Sequence, residues 1–162
     1  MIRPAKMADV KAMVGLLQQA HSVSIYADMT TVREQDAQQF LAGQVQRMGD
    51  RGRCASLLWV AENEAGIVGM IVAVKGPIYF VGAHLFAQEV YFYGIKGLVD
   101  PQDMVALFRR FDTWAEQDER VLEIKTSSSD TFDWINWKDL RPFYERRGYK
   151  QSGEVFVRRL KR

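Results

Sequence analysis

The sequence predicts an α/β (α+β) domain, a mixed central sheet flanked by helices. Two β-rich runs, Leu57-Leu58-Trp59-Val60-Ala61 and Ile67-Val68-Gly69-Met70-Ile71-Val72-Ala73-Val74, occupy the middle of the chain. Amphipathic segments lie on either side of them. The most regular of these repeats Met104, Leu107, Phe108, Phe111 and Trp114 at three- and four-residue steps, the spacing of one buried helix face. Strands separated by helices, with a hairpin at the centre, define the class.

Residues 2–6 open the chain as a short strand. Asp9 then favours the first turn of a helix, whose apolar side is Val10, Met13, Val14 and Leu17. Residues 21–30 carry no clear pattern. A second helix is expected over 32–47, with Ala37, Phe40, Leu41 and Val45 on its apolar side and Gly49-Asp50-Arg51-Gly52 ending it. Asn63-Glu64-Ala65-Gly66 reads as the tight connection between the two β-rich runs. Residues 88–95 make the next strand. Asp100 caps the long helix and Pro101 suits its first turn. Residues 121–125 form another strand, 127–139 a polar and aromatic loop, and 140–147 a short helix ended by Gly148. Residues 149–160 return as a final extended segment.

A length of 162 residues with no repeat or linker reads as one domain over 1–162. The net charge of +2, with no reader motif and no basic face, argues against nucleic acid; the basic tail Arg158-Arg159-Leu160-Lys161-Arg162 is explained by a solvated chain end. Cys54 has no second cysteine to bridge with, and nothing calls for an oxidising compartment. The opening Met1-Ile2-Arg3-Pro4-Ala5-Lys6 lacks the apolar stretch of a secretion signal, and no apolar run approaches membrane-spanning length, so the expected location is cytoplasmic and away from membranes. His21, His84 and one Cys make no zinc site at any usual spacing, and hydrolase elbows and Gly-Lys-Ser/Thr phosphate loops are absent.

Three strings carry a family resemblance. Ile2-Arg3-Pro4-Ala5 followed by Asp9 is the first. Trp59-Val60-Ala61-Glu62-Asn63-Glu64-Ala65-Gly66-Ile67-Val68-Gly69 is the second, and Phe143-Tyr144-Glu145-Arg146-Arg147-Gly148-Tyr149 is the third and most specific. In this order, over nearly the whole chain, they resemble the GNAT superfamily of acyl-CoA-dependent N-acetyltransferases. The resemblance implies a mixed, mostly antiparallel sheet, acetyl-CoA as cosubstrate, and a small-molecule or protein amine as acceptor; it leaves a homodimer open. The chain departs from the family where CoA's pyrophosphate binds. In place of Arg/Gln-x-x-Gly-x-Gly/Ala it has Gly97-Leu98-Val99-Asp100-Pro101-Gln102-Asp103-Met104, which lacks the loop glycines, loses an N–H at Pro101 and adds two carboxylates. The family's Asn seven residues before the Tyr is replaced by Trp137, with Asn136 one residue earlier.

By resemblance, Tyr144 is the acid that protonates the departing thiolate and Glu89 the base that takes the amine's proton. The cofactor-contacting positions it implies are Tyr93, Ile95, Gln102, Met104, Ser127 and Asn136. Read from the residues alone, Tyr144 equally fits a half-buried ring packed on the sheet, and Glu89 a solvated charge at a strand end. His84 reads as a surface-loop histidine near the same cleft, and Ser127, Ser128 and Ser129 as a polar turn. Phe132, Trp134, Trp137 and Phe143 wall either a ligand cleft or a partner patch. Two functions follow: an N-acyltransferase, or a binding protein of the same fold that has lost the acetyl-CoA site.

Overall fold

The computed structural model describes residues 1–49, 55–80, 83–127 and 137–153. Five strands form one sheet in the order β1 (Ile2–Pro4), β2 (Ser56–Asn63), β3 (Gly66–Pro77), β4 (Leu85–Gly94) and β5 (Val121–Lys125). Neighbours are antiparallel except β4 and β5, which are parallel. The helices are α1 (Val10–Ser22), α2 (Glu34–Gln46), α3 (Pro101–Glu116) and α4 (Trp137–Glu145).

The continuous apolar runs of β2 and β3 follow from helices covering both faces. Leu58, Val60, Met70 and Val72 pack with Met13, Val14, Leu16, Ala20 and Leu41 of α1 and α2. The alternate residues Leu57, Ala61, Ile71 and Ala73 pack with Leu107, Phe108, Phe111 and Ala115 of α3. The helical stripe expected on α3 is therefore the core of the second face, with Trp114 partly buried at its margin under the ammonium of Lys75, 4.3 Å from the ring centre.

Local chemistry sets the element ends. Asp9 lies in a 3-10 turn ahead of α1, where its carboxylate accepts from the Lys6 amide (2.8 Å) and from both terminal nitrogens of Arg3. Asn63 closes the β2–β3 hairpin by accepting from the Ala65 amide, while its own amide donates to the Leu98 carbonyl at 3.0 Å. Gly94 lets the long helix approach: a Cβ there would lie 2.7 Å from both Val99 Cγ1 and Met104 Sδ. Asp100 is the cap of α3, accepting from the Gln102 amide at 2.8 Å.

Several boundaries differ from the sequence reading. The strand expected over 88–95 begins at Leu85, because Leu85, Phe86 and Ala87 pair with the end of β3. Helix α4 begins at Trp137 rather than at 140. Phe40, expected on the buried side of α2, is 41% exposed; Leu41, about 100° further round, takes the inward position. Residues 149–153 contain no strand, and the rest of the extended segment expected there lies outside the described residues. Among the described residues, no helix is long and apolar enough to cross a membrane.

Candidate active site

The site forms where β4 and β5 part. Their parallel pairing ends at Gln88 with Lys125, so Glu89 and Thr126 are the first residues beyond the last pair. An irregularity in the β3–β4 register fixes which way Glu89 points. Ala73 faces Glu89 and Val72 faces Tyr91, leaving Val90 as the extra residue of a bulge. Glu89 thus shares the α3 face with Ala73, while Tyr91 and Tyr93 fall on the α1–α2 face with Val72. A regular strand would have put Glu89, Tyr91 and Tyr93 on one face.

Glu89 is not a solvated charge at a strand end. It lies within β4 and is only 8% exposed. Its Oε2 accepts from Thr126 Oγ1 at 3.3 Å, and its carboxylate also accepts from the Ser127 backbone N–H. Burial pushes the carboxyl above the ordinary glutamate value, and these two hydrogen bonds pull it partly back. Tyr144 comes to the same place from α4, where its phenol feels both the Thr126 hydroxyl and the Glu89 charge. The single Thr126 proton goes to the Glu89 carboxylate, and the neighbouring hydroxyl pulls the phenol's value partly back down, so Tyr144, Thr126 and Glu89 form one cluster. Burial raises the phenol above its ordinary value and the Glu89 charge adds to this, so Tyr144 holds its proton at neutral pH. A phenol that keeps its proton beside a buried carboxylate is equipped to give and take protons at one reacting centre.

Tyr144 is seated by aromatic packing. Its ring lies 5.6 Å from Phe108, 5.4 Å from Phe143 and 6.0 Å from Tyr149, centre to centre. The helix ends with Gly148 at φ +85°, a left-handed backbone that glycine adopts without strain.

The remaining expected positions disperse. Tyr93 is buried on the α1–α2 face. The Ile95 carbonyl accepts from the amides of Leu98 and Val99 within the turn before α3. Gln102 spends its amide on Asp100, and Met104 packs its sulfur against Gly69 and Gly94. Ser127 reaches the site through its backbone. Asn136 and the aromatic pair Phe132 and Trp134 lie outside the described residues, as do Ser128 and Ser129. His84 is exposed in the loop before β4. Thr126 is the member that sequence reasoning passed over. It stands next to the expected Ser127 but belongs to no motif.

The start of α3 has a different character. Pro101 offers no N–H, the Gln102 amide is held by Asp100, and the Met104 amide donates to the Asp100 carbonyl at 3.2 Å. The Asp103 carboxylate lies 2.7 Å from the amino group of Met1. These donors and charges do not fit a pyrophosphate, which needs free amides and no neighbouring carboxylate.

No family model matches the chain, and no curated protein matches it in sequence. Solved structures do match in shape. A possible acetyltransferase from Clostridium difficile 630 aligns with a TM-score of 0.67 at 11% identity, over 100% of this chain and 98% of its own. The ribosomal-protein-alanine N-acetyltransferase of Brucella melitensis biovar Abortus 2308 aligns at 0.63 and 16% identity, over 99% of both chains. The aminoglycoside antibiotic 6′-N-acetyltransferase of Acinetobacter haemolyticus aligns at 0.63 and 14% identity, over 99% of this chain and 98% of that one. At such identities the likeness establishes the fold, and the fold is the GNAT fold that the sequence resembles.

Proposed function

We propose that this chain is an N-acyltransferase that moves an acyl group, acetyl by resemblance, from a CoA thioester directly to an amine. The observation that carries the reading is the meeting of Tyr144, Thr126 and the buried Glu89 at the opening between β4 and β5. As the amine nitrogen bonds to the acyl carbon, Glu89 accepts the proton the nitrogen loses. As the carbon–sulfur bond breaks, Tyr144 gives its proton to the sulfur. Thr126 holds the Glu89 carboxylate in place through its hydroxyl.

A second reading, a binding protein of the same fold without acyl transfer, is favoured by one observation: the closed and acidic start of α3. Pro101 lacks an N–H and the Gln102 and Met104 amides are occupied, so the grip on CoA is expected to rest on its pantetheine end. Asp100→Asn together with Asp103→Asn separates the two readings. Asn keeps the helix cap while both charges go. Two carboxylates a few ångströms from a phosphate oppose it by about 1 kcal/mol each when partly screened. Calorimetry is therefore expected to show acetyl-CoA binding tightened by roughly tenfold or more. Unchanged affinity would place the phosphates away from α3 and favour the second reading.

Glu89→Gln tests the base. Turnover is expected to fall by about 10²–10⁴-fold. Stability should move the other way at neutral pH. A carboxyl raised in the folded state favours folding when protonated, and that contribution is lost as pH rises through the raised value. The amide keeps an acceptor for Thr126 and Ser127 without the buried charge, so thermal unfolding at pH 7 should show a gain on the order of 1 kcal/mol. The gain should vanish below the ordinary glutamate range. For the wild-type protein, the acidic limb of the pH–rate profile should lie above that same range. A variant as active as the wild type removes Glu89 from the mechanism.

A further inference from the structure

Asp112 lies on α3 and is 8% exposed, a buried carboxylate that the chemistry above does not use. It accepts from Arg147 through Nε (2.8 Å) and Nη2, and from the Tyr149 hydroxyl at 2.6 Å. Arg147 and Tyr149 are also the two residues whose backbone amides close on the Tyr144 carbonyl, at 2.9 and 3.1 Å. Between them Gly148 makes the left-handed turn that brings both amides round. One carboxylate on α3 therefore holds both side chains that flank this turn, and the turn holds the backbone of Tyr144. The Arg147 guanidinium also lies 5.6 Å from the rings of Phe108 and Phe143, the aromatic seat of the same tyrosine.

We propose that Asp112 is a positioning residue for Tyr144, fixing through Arg147 and Tyr149 the end of α4 and with it the reach of the phenol to Thr126 and Glu89. The proposal rests on the acyl-transfer reading for its effect on rate, but not for its effect on the placement of Tyr144. The physical case is one of paired groups. An ionised carboxylate that accepts several hydrogen bonds, two of them from a guanidinium, is geometrically specific in a way that apolar packing alone is not. Removing its charge leaves Arg147 without its carboxylate partner and loosens the turn it anchors. A displacement of about 1 Å at a reacting group costs up to roughly 10²-fold in rate.

The test uses Asp112→Asn, Tyr144→Phe, their combination, and Asp118→Asn as a control. Asp118 faces the buried Lys75 at 3.1 Å just beyond the end of α3, so its loss disturbs an ion pair next to the same helix away from Tyr144. Asp112→Asn is expected to lower kcat by roughly 10–100-fold with KM for acetyl-CoA within about twofold. In the Tyr144→Phe background the same change should have no further effect on kcat, because its action runs through the phenol. Asp118→Asn should lower the melting midpoint and leave kcat unchanged. Nitration by tetranitromethane, read residue by residue in digests, reports placement without any turnover. Asp112→Asn should speed modification of Tyr144, while Tyr79, 85% exposed, reacts equally in every variant. Equal nitration of Tyr144 in wild type and Asp112→Asn overturns the proposal, and so does an equal loss of kcat in both backgrounds. Should Tyr144→Phe alone leave turnover intact, the acid assignment fails, and nitration still decides whether Asp112 holds the tyrosine.

Discussion

Replacing Tyr144 by Phe is expected to lower turnover by about 10²–10⁴-fold while acetyl-CoA affinity stays nearly constant. The change deletes one proton donor and keeps the ring, whose contacts with Phe108, Phe143 and Tyr149 do not involve the hydroxyl. Loss of one hydroxyl costs at most about one hydrogen bond, about 1 kcal/mol, so the melting midpoint should fall by a few degrees at most. Single-turnover acyl transfer to an amine found by screening, measured beside thermal melts of both proteins, provides the comparison. An equal rate in the variant would leave water as the proton source. A midpoint lowered by more than about 10 °C would make Tyr144 a structural residue first.

The largest effect on stability is expected from Phe108→Ala. Phe108 is fully buried, and its ring meets five others: Phe92 at 5.7 Å, Phe111 at 5.6 Å, Phe143 at 5.3 Å, Tyr144 at 5.6 Å and Tyr149 at 6.0 Å. Truncating a buried Phe costs about 3–5 kcal/mol through lost burial and the cavity left behind. For a chain of this size that lowers the melting midpoint by on the order of 10 °C. The rate should fall as well, because the same ring is part of the seat of Tyr144. A loss below about 1 kcal/mol in denaturant unfolding would mean that α3 presents a different face to the sheet.

These two residues show what the sequence made legible. Phe108 belongs to a stripe whose helical spacing is visible without any partner, and Tyr144 to a short string ending in Gly148, a glycine that closes the helix with a positive φ. Glu89 was legible as an acid in the right strand, but its burial was not. That depends on the bulge at Val90, and Glu89-Val90-Tyr91-Phe92-Tyr93 carries no mark of a bulge, since its position is set by the register against β3. Thr126 was invisible for a related reason. A threonine after a strand is unremarkable until β4 and β5 bring it beside Glu89, 37 residues away in sequence. Asp112 reads as one more polar residue on an amphipathic helix, and its partners Arg147 and Tyr149 lie 35 and 37 residues further on. Local pattern specifies helices and core faces, whereas the polar contacts of the site are made between elements distant in sequence. The phosphate loop is the converse case. Its departure from the family was plain in the string Asp100-Pro101-Gln102-Asp103, and the structure adds that the Gln102 amide is occupied by the Asp100 cap.

Acyl transfer by this chain stands or falls on titration of the protein with acetyl-CoA in a calorimeter. Binding of the thioester is the one step that the acyl-transfer reading cannot do without, and it needs no knowledge of the acceptor. Saturable heat is expected with one ligand per chain, at a Kd between about micromolar and a few hundred micromolar given the opposing charges at α3. Binding should be tighter in the variant lacking the Asp100 and Asp103 charges. Absence of heat up to millimolar acetyl-CoA, in both the wild type and that variant, would rule out acyl transfer from CoA and leave a GNAT-fold protein that does not use it.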